Sequence, residues 1–130
     1  MKIIIIVARL ALGALMAVSG LNKFLDFMEM PAFTGDAAEF LRILVESRYM
    51  DAVGGLEVVG GFLLLTGFFV PLGLMLLIPV IVNIVLFHVF LAGALDPMPL
   101  GAAALAVVVV FGYWSSFKRV LRPLPRAQVE

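Results

Sequence analysis

His88 is the sole histidine of the chain and stands in the apolar tract NIVLFHVFLAG, residues 83 to 93. The other polar side chains set in or beside apolar surroundings are Glu57, Lys23 and Asn22, with Arg9 and Asn83 as a secondary set. A carboxylate beside an imidazole can relay a proton or anchor a ligand carbonyl, because the ring changes charge near neutral pH. An amine beside the carboxylate makes an ion pair instead, and either contact holds a carboxylate in a dry place. One histidine and no cysteine exclude a His-rich or thiolate metal centre, so no metal ligand is expected. The same lack of cysteine removes disulfides and thiol redox chemistry. Any redox role then needs a bound cofactor, a quinone being the candidate, or a partner subunit.

The elements that must position these residues follow from composition. Of the 130 residues 64% are hydrophobic and 14% charged, against about a quarter charged in soluble domains. A fold this small cannot hide that much hydrocarbon from water. Lipid must be the solvent for most side chains, and the lipid bilayer is the first partner. Net charge is zero with no basic stripe, which excludes nucleic acid as a partner.

Apolar runs predict helices over about 3–29, 52–70, 72–93 and 99–118, the first continuing past the membrane through Leu21, Phe24, Leu25 and Met28 until Pro31 stops it. Each run, the first counted over its apolar part at about 3–21, has the roughly 17–25 residues a spanning helix needs, and unbroken apolarity excludes a barrel. The start MKIIIIVARLALGALMAVSG resembles a secretory signal, but Arg9 interrupts its apolar core and a retained helix is expected. Within the first loop, 36–49 reads as a short amphipathic helix, with Asp36 and Glu39 as a capping box and Phe40, Leu41, Leu44 and Val45 on one face. Pro71 suits a first helical turn, and Pro79 should kink the third span. The predicted fold is all-α: one domain over 1–130, an integral membrane four-helix bundle with an amphipathic helix in its first loop.

Lys118, Arg119, Arg122 and Arg126 make the basic tail 118–130 the cytoplasmic end, and an even number of spans puts both termini there. Glu57 then lies about five residues inside the second span and His88 about five from the end of the third, each about 7 Å below the outer boundary. Asn22 and Lys23 fall just above them. Three helices thus bring an amine, a carboxylate and an imidazole to one layer, either as a proton relay and ligand anchor or as glue between helices. Arg9, in the opposite half, can snorkel to headgroups near Tyr113 or meet an anion. Asn83, about 140° around its helix from His88 at 100° per residue, reads as interhelical glue. Gly13, Ala17 and Gly20 on the first helix and Gly54 and Gly61 on the second let backbones approach.

RLALGALMAVSGLNKF, LEVVGGFLLLTGFF and VNIVLFHVFL, in this order and spacing, resemble the DoxX-like family of small four-helix membrane proteins, from Arg9 to about Arg122. The resemblance singles out Arg9, Gly13, Gly20, Lys23, Glu57, Gly60, Gly61, Gly67 and His88. It implies a place beside redox chemistry, since relatives are tied to a thiosulfate:quinone oxidoreductase or to oxidative-stress proteins. Relatives in the wider clan that act on thiols use cysteines, which this chain lacks. Three readings follow: a redox-associated subunit of the bacterial inner membrane that binds a quinone or other lipophilic molecule; a non-catalytic scaffold, assembly factor or lipid binder; and, more weakly, a small transporter. A redox protein and a second copy of the chain are the protein partners these readings allow. No self-sufficient catalytic motif is present.

Overall fold

The computed structural model describes residues 1–29, 32–94, 96–123 and 127. Among them the regular elements are all helical: α1 (Lys2–Leu25), α2 (Gly35–Glu46), α3 (Tyr49–Thr66), α4 (Val70–Leu86) continued by a π-helical stretch (Phe87–Ala92), α5 (Pro97–Gly112) and α6 (Trp114–Val120). Helices α1, α3 and α4 with its π-helical end are each long and apolar enough to cross a membrane. A fourth span is reached when α5 and α6 are taken together, and that pair is bent by 86°. Helices keep every backbone donor and acceptor paired where water is absent, which is why the apolar runs fold this way.

Several boundaries differ from the sequence expectation. Helix α1 ends at Leu25 rather than near 29, with Asp26 left-handed at its end. Asn22 is the cause. Its Oδ1 accepts from the Met28 amide at 2.8 Å and its Nδ2 donates to the Met28 carbonyl at 3.4 Å, so the chain is folded back before another turn can form. Pro31, the expected stop, lies outside the described residues. The capping box at Asp36 and Glu39 does not form: Thr34 is the N-cap, without a side-chain bond, and Glu39 is ion-paired to Arg42. Helix α3 begins at Tyr49 and stops at Thr66, because Gly67 takes φ 80° and caps it. The last helix, expected unbroken over 99–118, breaks at Tyr113 (φ −110°, ψ 23°). Gly112 and Ser115 hold a helix weakly there, and Lys118 and Arg119 belong in water.

The spanning helices form a ring in the order α1, α3, α4, α5, with α1 against α3 the most extensive contact. Leu12, Met16, Leu64, Leu74, Leu77 and Val109, drawn from all four, are fully buried. Outward faces carry Ile3, Val7, Val59, Phe62, Met75 and Val82, exposed here because lipid is their solvent. Glycine sets the spacing. A Cβ at Gly61 would lie 2.6 Å from the Ala17 amide nitrogen and 2.7 Å from the Gly13 carbonyl, so α1 and α3 meet backbone to backbone. Helix α2 packs over the start of α3 and the π-helical stretch, capping one end of the bundle.

Candidate functional site

The close α1–α3 contact brings Lys23 and Glu57 together. Lys23 Nζ lies 2.8 Å from Glu57 Oε2, with the carboxylate side chain fully enclosed and the amine 12% exposed. Lys23 also donates to Ser19 Oγ, one turn earlier on α1, at 3.3 Å. Gly20 is what admits this arrangement, since a Cβ there would meet Glu57 Cβ at 2.9 Å and the Gly54 carbonyl at 2.6 Å. The second carboxylate oxygen, Oε1, is buried and has no hydrogen-bond partner among the described residues. A carboxylate in such a place has its charge answered by one ammonium while half its acceptor capacity stands unused. Asn22, the residue before Lys23 on α1, is buried and directed to the Met28 backbone.

His88 is elsewhere. It sits in the π-helical continuation of α4, where the backbone pairing widens to i→i+5, a local geometry often found at working sites. Its Nδ1 lies 2.8 Å from the Ile84 carbonyl, the acceptor that its own amide would use in an α-helix. Its Nε2 lies 3.5 Å from Asp96 Oδ2, just before α5. Both contacts are donor contacts only for the imidazolium, since a neutral ring has one N–H. Phe33 and Phe87 press edges against the ring at centroid distances of 5.9 and 5.2 Å, and Phe40 of α2 stacks on Phe87. The side chain is 12% exposed while Asp96 is 48% exposed, so the pair runs from under the α2 cap to water. The groups expected in one layer are found in two separate pairs, Lys23–Glu57 and His88–Asp96, and the described contacts of His88 do not include Glu57.

Two other residues complete the polar inventory. Arg9 Nη1 donates to Tyr113 Oη at 3.2 Å, linking α1 to the bend after α5. Asn83 Nδ2 donates to the Pro79 carbonyl at 2.8 Å, within α4, so its described bond is intrahelical rather than between helices. Sequence reasoning missed Asp96, Ser19, Phe33 and Phe87. Ser19 was accessible through its i, i+4 spacing from Lys23, whereas Asp96 in a turn and Phe33 in a loop carried no periodic signal. No group of three His, Asp or Glu side chains suited to a metal exists among the described residues.

A family model described as DoxX matches residues 4–89, more than half of the chain. The chain belongs to the DoxX family. The match spans Arg9, Lys23, Glu57 and His88 but stops before Asp96 and Tyr113, so in this DoxX protein the partners of His88 and Arg9 come from the segment beyond it. No curated protein and no solved structure matches significantly. Membrane helices and family membership together make it a DoxX-family membrane protein.

Proposed function

We propose that the chain is an accessory subunit of a membrane redox system, set in the bacterial inner membrane with both termini cytoplasmic. On this reading, the half of the bundle that carries Lys23, Glu57 and His88 receives a quinone or a similar lipophilic molecule. The observation that supports it is Glu57 Oε1, an enclosed carboxylate oxygen without a donor among the described residues. Leaving such an acceptor unmet costs about 1–3 kcal/mol, or more when charged. A hydroxyl brought by a ligand removes that cost. Lys23 has three N–H donors and directs two of them, to Glu57 and Ser19, which leaves one for a carbonyl. An acceptor and a donor side by side suit a head group that alternates between carbonyl and hydroxyl. A quinone would supply two-electron, two-proton chemistry, with electrons from a partner protein. The chain would hold the head, and His88 with the water-facing Asp96 would exchange protons at the same end.

The test is photolabelling of the protein in nanodiscs with a short-chain photoreactive quinone. Labels should fall around Lys23 and Glu57, and Glu57→Gln should weaken labelling about tenfold, the loss of one charge-assisted hydrogen bond. Labelling that ignores Glu57→Gln while the variant stays folded would overturn the reading.

One observation favours a second reading, a non-catalytic scaffold. Two grooves among the described residues, between α4 and α5 and between α1 and α5, are lined by apolar residues and include none of Lys23, Glu57 and His88. There the pairs would act as interhelical glue that sets register. His88→Ala and Glu57→Gln would then lower stability with no ligand binding to lose.

A further inference from the structure

Among the described residues, Arg9 is a charge inside the apolar part of α1 without an acidic partner. Every acidic residue except Glu130 falls within 26–57 or at 96, and the ion pairs among the described residues engage Lys23, Arg42, Arg48 and His88. Glu57, the acid nearest the core, is level with Gly20, eleven residues or about 16 Å along α1 from Arg9. Lys2, Lys118, Arg119 and Arg122 share the Arg9 end of the bundle. An unanswered guanidinium in lipid costs at least about 2.5–3.5 kcal/mol at mid-span, so a counter-charge is required.

The guanidinium is held open rather than satisfied. Tyr113 accepts from Nη1 but is neutral and keeps its own O–H to donate. Gly67 at φ 80° leaves room beside it, since a Cβ there would come 2.9 Å from Nη1. Nε is buried without an acceptor among the described residues. Nη2 has no described bond and is not among the enclosed unpartnered atoms, so it remains reachable from outside. Ile5, one turn before Arg9 on α1, and Gly112, next to Tyr113, help line an apolar groove of about 380 Å³ between α1 and α5, completed by Met1, Ile4, Val108 and Phe111. The 86° bend then turns α6 away from the α5 axis with Lys118 and Arg119 exposed, and with half-exposed Trp114, a ring type favoured at membrane boundaries, at its start.

We propose that Arg9 and Tyr113 bind the phosphate of an anionic phospholipid, whose hydrocarbon lies in the α1–α5 groove and whose net negative charge is also attracted by Lys118 and Arg119. The guanidinium fork recognises phosphate oxygens, and the Tyr113 hydroxyl adds a donor. Free phosphate shares this chemistry; the groove and the boundary position select the lipid.

The test is native mass spectrometry on delipidated full-length protein in a neutral detergent, titrated separately with phosphatidylglycerol, phosphatidylcholine and inorganic phosphate. Phosphatidylglycerol should bind about tenfold more tightly than phosphatidylcholine, as expected for charge-assisted contacts. Arg9→Gln should abolish that preference, and Tyr113→Phe should reduce it. Equal affinity of the wild-type protein for the two lipids, or a preference unchanged by Arg9→Gln, overturns the site. Inorganic phosphate that saturates the protein and displaces phosphatidylglycerol overturns the lipid as occupant. If Arg9→Gln fails to fold, Arg9→Lys keeps the charge and loses the fork. An undiminished preference in that variant is equally fatal.

Discussion

Gly61→Ala should be far more damaging than one added methyl suggests. The new Cβ would lie 2.6 Å from the Ala17 amide nitrogen and 2.7 Å from the Gly13 carbonyl oxygen. Both are backbone atoms and cannot rotate aside. Ordinary contact begins at 3.4 Å, so α1 and α3 must part by about 0.8 Å (3.4 − 2.6) along this line. A gap of that size forfeits roughly a quarter to a half of the attraction of each atom pair across it, and this is the most extensive contact in the bundle. We expect a loss of about 1–3 kcal/mol, the usual range for overpacking. The same parting stretches the 2.8 Å Lys23–Glu57 ion pair. Gly55→Ala is the control: a Cβ there meets nothing within 4 Å, and a helical interior should gain about 0.5–1 kcal/mol from it. Unfolding in mixed detergent–SDS micelles, followed by far-UV circular dichroism, measures both. Should the two variants unfold at the same SDS fraction, backbone-to-backbone packing of α1 on α3 is refuted.

Removing one partner of the enclosed Lys23–Glu57 pair should cost about 3–5 kcal/mol, while Lys23→Met with Glu57→Leu recovers most of it; additive losses in this cycle would contradict the pairing. Gly67→Ala should lower stability by about 1 kcal/mol or more in the same SDS titration, because its φ of 80° suits glycine and the methyl meets Arg9. Asn22→Ala should speed amide exchange at Met28 by releasing the clasp that ends α1, at a cost of about 1 kcal/mol. The hydrogen bond from Arg42, and then its charge, hold the Glu39 carboxyl below the ordinary carboxylate range. That contribution is present above the ordinary value and fades as pH falls through the lowered one. The protection factors of the α2 amides, taken against intrinsic exchange at each pH, should therefore fall on acidification, and Glu39→Gln should flatten the response.

Much of the bundle was legible because span length and apolarity are local properties. Long runs without strong polar groups led to spanning helices, and glycines seven apart led to one close face, which Gly54 and Gly61 show against Gly20, Gly13 and Ala17. Ends were less legible. Asn22 stopped α1 through a side-chain clasp, and Gly67 and Tyr113 ended helices inside runs that stay apolar beyond them. Hydropathy averages over such single-residue decisions.

The amino-acid sequence by itself determined that the chain is helical and lives in lipid, and it set an expectation of depth for each ionisable group. Depth follows from counting residues at a constant rise. Azimuth does not, because the rotation of each helix depends on which small residues let which neighbour approach. Tertiary packing alone decided that Glu57 faces Lys23 across the glycine seam, and that His88, turned beneath α2, reaches Asp96.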